Sequence, residues 1–354
     1  MLRNNTVFYF LCFLSLSLLQ LGCKGKLKTT PYAFDIPAGY PKPIDPEYNP
    51  TTEEGVALGR SLFYDKNLSS TGTQSCGSCH IQAFAFTDPA RFSTGVNGIE
   101  GNRNSMTLAN LAFNPYQRFF WDGRAESLEE QALEPVRNPI EMNNNWENVV
   151  AYLQSQSHYK DMFEAAFGTR KIDSTLASYA LAQFIRTLIS FDSKFDQYVR
   201  GEVNLTASEL NGYNLIQSQT KGDCFHCHNA EDKLFTNMRM LNNGLDFESE
   251  WVDLGYYGVT QNANDKAKFK TPTLRNIMLT GPYMHDGRFL SVKDVIEQHY
   301  FFGGKMSSTI DVNMEYVNIG LDLSAQDIED ILAFLATLTD DQFINNVQFS
   351  DPNN

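Results

Sequence analysis

Two short motifs of cysteine and histidine are the most chemically informative residues of this 354-residue chain. Cys76-Gly-Ser-Cys79-His80 and Cys224-Phe-His-Cys227-His228 both follow the pattern Cys-x-x-Cys-His. In this pattern the two thiols add to the vinyl groups of a c-type haem, and the adjacent histidine becomes an axial ligand of its iron. The two motifs therefore predict two covalently bound c-type haems.

Zinc binding and thiol redox chemistry are the alternative interpretations of the same four cysteines. Two Cys-x-x-Cys pairs can hold one tetrahedral zinc ion, although zinc-binding pairs usually lie much closer together in a chain. Zinc also does not require a histidine directly after each pair. A thioredoxin-like pair would explain only one of the two motifs. The repeated histidine favours haem.

The beginning of the chain has the pattern of an export signal. Arg3 precedes a short apolar run from Val7 to Leu19, which is too short for a comfortable transmembrane helix. Cys23 and the residues before it resemble a bacterial lipobox, with plain signal cleavage as the alternative. We therefore expect a signal peptide over residues 1–22, lipidation of Cys23 and a periplasmic location. Contact with a membrane would then be made through the N-terminal lipid only.

Composition and charge restrict the classes of partner. The formal net charge of −14 argues against nucleic acid as a ligand. It is compatible with electrostatic attraction of a basic electron-donor protein, and equally with a solvated acidic surface that has no specific partner. The hydrophobic content of 42% is normal for a globular protein, and the length suffices for two modest domains.

The hydrophobic periodicity predicts a mostly α-helical chain in which one pattern occurs twice. Each half has a short amphipathic helix before its haem motif and a closing helix after it. The first closing helix is expected at about residues 172–190 and is capped by Asp173 or Ser174. The second is expected at about residues 325–338, where Ser324 begins an approximate capping box. No segment shows convincing strand-like alternation.

The same patterns predict how the chain is divided. A proline-rich segment with few aliphatic residues follows the signal and is typical of an extended tether. The helical patterns are interrupted near residues 200–206. We therefore expect a signal peptide, a lipid-anchored flexible tether, an N-terminal domain, a C-terminal domain and a C-terminal tail, with the respective bounds 1–22, 23–50, 51–205, 206–340 and 341–354.

Several further motifs surround the haem motifs in a distinctive order. They are Arg103–Leu108, Phe120–Ala125, Leu128–Ala132, Asn138–Met142, Pro272–Asn276 and Thr280–Gly287. Together they closely resemble the bacterial diheme cytochrome c peroxidase family, which includes the methylamine-utilisation diheme oxidases. The resemblance extends from about Gly55 to Leu338. It implies two cytochrome c-like domains, each with one haem.

The resemblance implies roles for three residues between the haem motifs. Glu141 matches the carboxylate beside the peroxidatic haem, where one group can take the proton from bound peroxide and return it to the departing oxygen. Gln131 matches the amide that orients peroxide with that carboxylate. Trp121 matches a tryptophan between the two haems and is a plausible electron relay, although a tryptophan can also simply fill a core.

The resemblance also implies a calcium ion between the two domains. Asn104, Thr280 and Pro282 match positions whose oxygens bind calcium in the family. Side-chain and backbone carbonyl oxygens are suitable ligands for this hard cation. Ordinary loop packing is the alternative role for these residues.

Two positions depart from the family pattern. No histidine lies between His80 and Arg103, where some members have one that blocks the first iron in the resting state. We therefore expect an open or water-bound site and no reductive activation, with Met106 as an alternative ligand.

The second departure concerns the ligand of the second haem. The family has a methionine or a tyrosine fourteen residues after the histidine of its Pro-Tyr-x-His motif, and the same count from His285 ends at His299. We therefore expect ligation of that haem by His228 and His299. Tyr300 and Met306 are the competing candidates.

The resulting expectation is a periplasmic peroxidase that reduces hydrogen peroxide with electrons from a small soluble donor, either a cytochrome c or a copper protein. One alternative is an oxidase of the methylamine-utilisation type that acts on a partner protein or a small molecule. Another is a diheme electron carrier without enzymatic activity. The resemblance is also compatible with a homodimer.

Overall fold

The computed structural model describes residues 28–229, 231–314 and 318–353. The predicted signal peptide and the lipidated Cys23 lie outside the described residues. The described part is mostly helical, as predicted. Its α-helices are α1 Glu53–Tyr64, α2 Cys76–Cys79, α3 Leu128–Arg137, α4 Trp146–Ser155, α5 Ser157–Phe167, α6 Ser174–Arg186, α7 Lys194–Val199, α8 Ala207–Gln217, α9 Tyr257–Thr260, α10 Val292–Val295, α11 Ala325–Ala336 and α12 Asp341–Asn345.

A pair of helices closes each half of the molecule in the same way. In the first half α1 packs against α6, and a Cβ atom placed on Gly59 would lie 1.9 Å from the carbonyl oxygen of Ala180. In the second half α8 packs against α11, and a Cβ atom on Gly212 would lie 1.9 Å from the carbonyl oxygen of Asp330. Glycine at both contacts permits the close approach of the helix backbones.

The predicted helix starts agree with the structure. Asp173 caps α6 by accepting from the N–H of Leu176 at 2.9 Å. Ser324 and Asp327 form a capping box at the start of α11. The first closing helix ends at Arg186, a few residues earlier than predicted.

Two hydrophobic clusters form the cores of the two halves. The first contains α1, α6 and the segments between them, and the second contains α8 and α11. Phe195 precedes the predicted boundary at residue 205, but its ring packs against Phe235 and Phe334 of the second cluster at 5.2 and 5.5 Å. The division between the cores therefore comes earlier than the interruption of the helical pattern.

Residues 28–50 lie against the folded halves, which corrects the prediction of a flexible tether for this part of the chain. The Tyr40 hydroxyl donates to Oδ1 of Asp196 at 2.7 Å. The N–H of Ile44 donates to the carbonyl oxygen of Ala112, also at 2.7 Å. Prolines keep the segment extended, but the aromatic and polar side chains between them find partners on distant elements, which composition alone does not reveal.

The last residues also pack on the fold, although they were predicted to form a tail. Phe343 of α12 and Phe349 are buried in the first cluster. The Tyr64 hydroxyl of α1 donates to the carbonyl oxygen of Phe349 at 2.6 Å. The end of the chain thus returns from the second half to the first.

A short β-ribbon lies at the junction of the halves. Strands β1 Met240–Leu241 and β2 Phe269–Lys270 are antiparallel, and Met240 is opposite Lys270. The N–H of Lys270 donates to the carbonyl oxygen of Trp121 in the first half at 2.8 Å. Sequence patterns missed this ribbon because two residues per strand are too few to show alternation. Among the described residues, the structure has no helix with the length and apolarity needed to cross a membrane.

Candidate functional site

The first haem motif lines a cavity of about 260 Å³ in the N-terminal half. Cys76 and Cys79 lie on the single turn of α2, and His80 follows directly. The Nδ1–H of His80 donates to the carbonyl oxygen of Phe86 at 2.9 Å. Burial lowers the pKa of His80 and favours the neutral ring. This arrangement leaves Nε2 as the free ligand atom, as second-shell bonds do for metal-binding histidines.

The second motif repeats the arrangement in a separate cavity of about 240 Å³. Cys224, Cys227 and His228 all line it. The Nδ1–H of His228 donates to the carbonyl oxygen of Phe235 at 3.2 Å, and burial lowers the pKa of His228 to about 4. Both accepting residues have a left-handed backbone, with φ of 61° at Phe86 and 52° at Phe235. A rare backbone conformation thus presents the carbonyl in both halves.

The two cavities fit the haem chemistry of the motifs and do not fit zinc. The two cysteine pairs line different cavities, so their four thiols do not form one tetrahedral site. Burial raises the pKa of Cys76, Cys224 and Cys227 to about 12. All four cysteines are free of disulfides and face largely apolar space.

Glu141 and Gln131 both line the first cavity together with His80. Gln131 lies on α3, and the chain after this helix turns back so that Glu141 reaches the same space. The Asn138 side chain donates to Oε1 of Glu141 at 2.7 Å and fixes the carboxyl group. Burial raises the pKa of Glu141, and the bond from Asn138 only partly opposes this effect. Glu141 and Gln131, to which the family resemblance gives roles at one peroxide, therefore line the same cavity.

The loop that lacks a histidine lies beside Glu141. The N–H of Val96 donates to the carbonyl oxygen of Glu141 at 2.9 Å, and a Cβ atom on Gly95 would lie 2.1 Å from the carbonyl oxygen of Ile140. From this loop only Ser93 and Gly95 line the cavity. Neither residue has an imidazole or a thioether that could ligate iron.

Trp121 lines both cavities. Its indole N–H donates to the carbonyl oxygen of Asn104 at 2.8 Å. Asp122, the next residue, accepts from Arg103 at 2.6 Å, and Arg103 also forms a two-point ion pair with Asp253 of the second half at 2.7 and 2.9 Å. The tryptophan is therefore held at the junction by contacts with both halves.

Lys270 also lines both cavities, and the sequence analysis did not identify it. The side chain belongs to β2 and is only 5% exposed. A single lysine in a short strand carries no motif, so only its position in the folded chain distinguishes it.

Ligation of the second haem by His299 stays a prediction, and its competitor Tyr300 lies directly beside it. His299 is buried but does not line the cavity, whereas Tyr300 does. Both belong to a π-helical turn, Ile296–Tyr300, that directly follows α10. A π turn contains more residues than an α turn, so a count along the sequence does not determine which side chain faces the cavity.

The two side chains have different surroundings. Nε2 of His299 has no hydrogen-bond partner in the described part of the chain, and burial lowers the pKa of His299 to about 4. The Tyr300 hydroxyl accepts from the Asn243 side chain at 3.4 Å, and burial raises the pKa of Tyr300. Met306, the other competitor, is 55% exposed and does not line the cavity.

The predicted calcium ligands lie on both sides of the junction. Asn104 is buried, and its N–H donates to the carbonyl oxygen of His285 at 2.7 Å. Thr280 and Pro282 lie on either side of Gly281 in the second half, and the Gly281–Pro282 peptide bond is cis. The described residues contain no cluster of three or more His, Cys, Asp or Glu side chains suited to a metal ion. Calcium at this junction would therefore use amide, hydroxyl and carbonyl oxygens, and its binding stays a prediction.

Comparisons with known proteins agree with one another. A family model described as di-haem cytochrome c peroxidase matches residues 53–204. Cytochrome c551 peroxidase of Nitrosomonas europaea is 34% identical over 304 residues, which cover 85% of each chain. Methylamine utilization protein MauG of Methylorubrum extorquens is 34% identical over 295 residues, which cover 83% of this chain and 80% of that protein.

A solved structure is similar over nearly the whole length. The crystal structure of a MauG-like protein associated with microbial copper homeostasis has a TM-score of 0.82 and 35% sequence identity. The match covers 91% of this chain and 100% of that chain.

Proposed function

Because the chain belongs to the di-haem cytochrome c peroxidase family, we propose that it is a periplasmic enzyme with two c-type haems that reduces hydrogen peroxide to water. The electrons come from a small soluble donor, either a cytochrome c or a copper protein. The reaction consumes one peroxide, two electrons and two protons and forms two molecules of water. Glu141 and Gln131, in the same cavity as the haem histidine His80, are the observation that carries this proposal.

Haem bound in the two cavities would supply redox-active iron for one-electron transfer and for the reduction of peroxide. Cys76 and Cys79 hold the first group, and Cys224 and Cys227 hold the second. His80 and His228 each offer Nε2, because a backbone carbonyl fixes Nδ1. The protein thereby fixes the orientation of each imidazole and which of its nitrogens would bind iron.

Glu141 moves the proton on which peroxide cleavage depends. It accepts the proton of one peroxide oxygen and donates it to the other oxygen, which leaves as water. Burial raises the pKa of Glu141 toward the working pH, which favours both steps of this transfer. Gln131 donates its amide N–H to peroxide and orients it. Ser93 and Gly95 carry no side chain that ligates iron, which supports an open site without reductive activation, and Met106, the alternative ligand, also lines this cavity.

Trp121 forms the route between the halves. It lines both cavities, and its position is fixed from both sides of the junction. The net charge of −14 favours a basic donor, which is attracted over a distance before contact. Calcium bound by Asn104, Thr280 and Pro282 stabilises this junction. Lipidation of Cys23 keeps the enzyme at the membrane, and the family resemblance supports a homodimer.

A second candidate function is an oxidase that acts on a partner protein or a small molecule, in the manner of the MauG relatives. Tyr300 favours it, because its side chain lines the second cavity one residue after the position at which, by count from His285, the methylamine-utilisation branch has a tyrosine. A diheme electron carrier is a weaker candidate, because Glu141 and Gln131 would then have no task beside His80.

Peroxide turnover with an artificial one-electron donor tests the proposal. The wild-type holoenzyme should consume peroxide, and Glu141→Gln should lose roughly 100-fold or more of this activity, the lower range for a general acid–base group. Glu126→Gln is the matched control, because the Glu126 side chain is 69% exposed, pairs with Arg118 and does not line the cavity. A fully active Glu141→Gln enzyme would remove this residue from the mechanism. A wild type that loads both haems without consuming peroxide would favour the electron carrier.

A further inference from the structure

Lys270 is a buried cation at the junction of the two cavities. Its residue is 5% exposed, and its side chain borders both cavities beside Trp121. The N–H of Lys270 donates to the carbonyl oxygen of Trp121 at 2.8 Å, and this bond joins strand β2 to the segment that contains Trp121. The Nζ atom of Lys270 lies 6.0 Å from the centroid of the Phe119 ring.

No carboxylate of the described residues pairs with this ammonium group. Burial alone lowers the pKa of Lys270, to about 8, with no charged neighbour contributing. Glu141, which also lines the first cavity, has Asn138 and Arg124 as its favourable neighbours and not Lys270. A lysine is almost never fully buried without a counter-charge, so its position indicates a negatively charged ligand that enters the cavities.

Arg124, which lines the first cavity, differs from Lys270 in having close partners. Its guanidinium group binds Asp122 at 3.0 Å and lies 3.5 Å above the ring of Phe120. Arg124 therefore already has a carboxylate partner and an aromatic platform. Lys270 has neither at comparable distance, and it borders both cavities, whereas Arg124 borders only the first.

We infer that Lys270 binds the propionate carboxylates of the haems and acts as a shared electrostatic anchor at the junction. The inference rests on the proposed occupancy of both cavities by haem. The propionates are the carboxylates that this group brings with it, and the cavity linings are otherwise mostly apolar. A positive charge held between the two sites favours the reduced state of each iron, so Lys270 raises the reduction potential at both. It is a positioning residue that tunes electron transfer through Trp121.

The test is a spectroelectrochemical titration of the full-length holoenzyme. Lys270→Met keeps an unbranched side chain one atom shorter and removes its charge, so both midpoint potentials should shift downward. Lys270→Arg keeps a charge and should restore them toward the wild-type values. Lys268→Met is the matched control two residues earlier, because Lys268 pairs with Asp265, and it should leave both potentials unchanged.

Resonance Raman bands of the propionate bending modes give a second readout that does not depend on turnover. They should shift in Lys270→Met and not in Lys268→Met. Unchanged midpoint potentials in Lys270→Met would show that Lys270 does not bind the haem propionates. A shift at only one haem would show that Lys270 does not act on both. Should the methionine variant fail to fold, Lys270→Gln provides the same neutral test. If these shifts are observed but the wild-type protein does not consume peroxide, the proposed activity is refuted while the binding of propionates by Lys270 is supported.

Discussion

The indole N–H of Trp121 donates to the backbone carbonyl oxygen of Asn104 at 2.8 Å, and the N–H of Asn104 donates to the carbonyl oxygen of His285 at 2.7 Å. The first bond orients the ring in the N-terminal half, and the second joins that half to the C-terminal half. The indole therefore has one fixed orientation between the two cavities, as a relay between two redox centres requires.

Replacing Trp121 should slow electron transfer between the halves. We expect Trp121→Phe to retain both haem spectra and to reduce the inter-haem rate by roughly tenfold or more, the effect of about 1.4 kcal/mol on a barrier. Stopped-flow absorbance after rapid mixing with a reductant measures this rate. Trp146→Phe is the control, because Trp146 donates to the carbonyl oxygen of Leu133 within the first half. Equal rates in the two variants would exclude Trp121 as the relay.

The residue that faces the second haem can be identified by comparing two neighbours. Because Tyr300 lines the cavity and His299 does not, Tyr300→Phe should change the low-temperature EPR spectrum of the oxidised second haem. His299→Gln should leave that spectrum unaltered. The reverse pattern would restore the bis-histidine ligation predicted from sequence and would mean that the π turn rearranges when haem binds.

Peroxide turnover should depend on pH through Glu141. Burial raises the pKa of Glu141 above its usual value. Below that pKa the carboxyl group is protonated and cannot accept the peroxide proton, so turnover should fall as the pH decreases through it. The fall of turnover at low pH should therefore begin above the usual pH range of a carboxyl group. If the pH profile of Glu141→Gln lacks this fall, the fall is assigned to Glu141. An identical fall in Glu141→Gln would trace it to another group.

A buried ion pair stabilises the second half and its contact with the N-terminal segment. Arg275 donates to both carboxylate oxygens of Asp196 at 2.7 and 2.8 Å, and both side chains are fully buried. Because the partner cation would be left unpaired, we expect Asp196→Asn to lower the free energy of unfolding by about 3–5 kcal/mol. Glu202→Gln, which removes an exposed partner of Arg200, should cost less than about 1 kcal/mol. Chemical denaturation of both variants distinguishes these outcomes.

The same pair predicts the direction of a pH effect on stability. Burial raises the pKa of Asp196, but the hydrogen bonds and charge of Arg275 outweigh burial and hold it below its usual value. The pair therefore contributes its full stabilisation above the unfolded-state pKa and loses it as the pH falls through the folded-state value. Wild-type stability should decline in acid more steeply than that of Asp196→Asn, and parallel curves would contradict this linkage.

The features that depend on short-range chemistry could be read from the sequence. The haem motifs, the cap of α6 at Asp173 and the capping box of Ser324 with Asp327 each involve residues within a few positions of one another. Local spacing determines such contacts, because a helix start or a thiol pair needs no distant partner. The mostly helical class followed from periodicity for the same reason.

The features that depend on long-range contacts were decided only by the tertiary structure. Tyr40 and Phe349 contact residues that lie far from them in the sequence, and the composition around Tyr40 and Phe349 does not indicate these contacts. A π turn, which no count along the chain anticipates, places Tyr300 rather than His299 in the second cavity. Lys270 acquires its significance because two cavities meet beside it. Sequence thus determined which groups can hold the cofactors, and packing between the halves decided which other side chains face them.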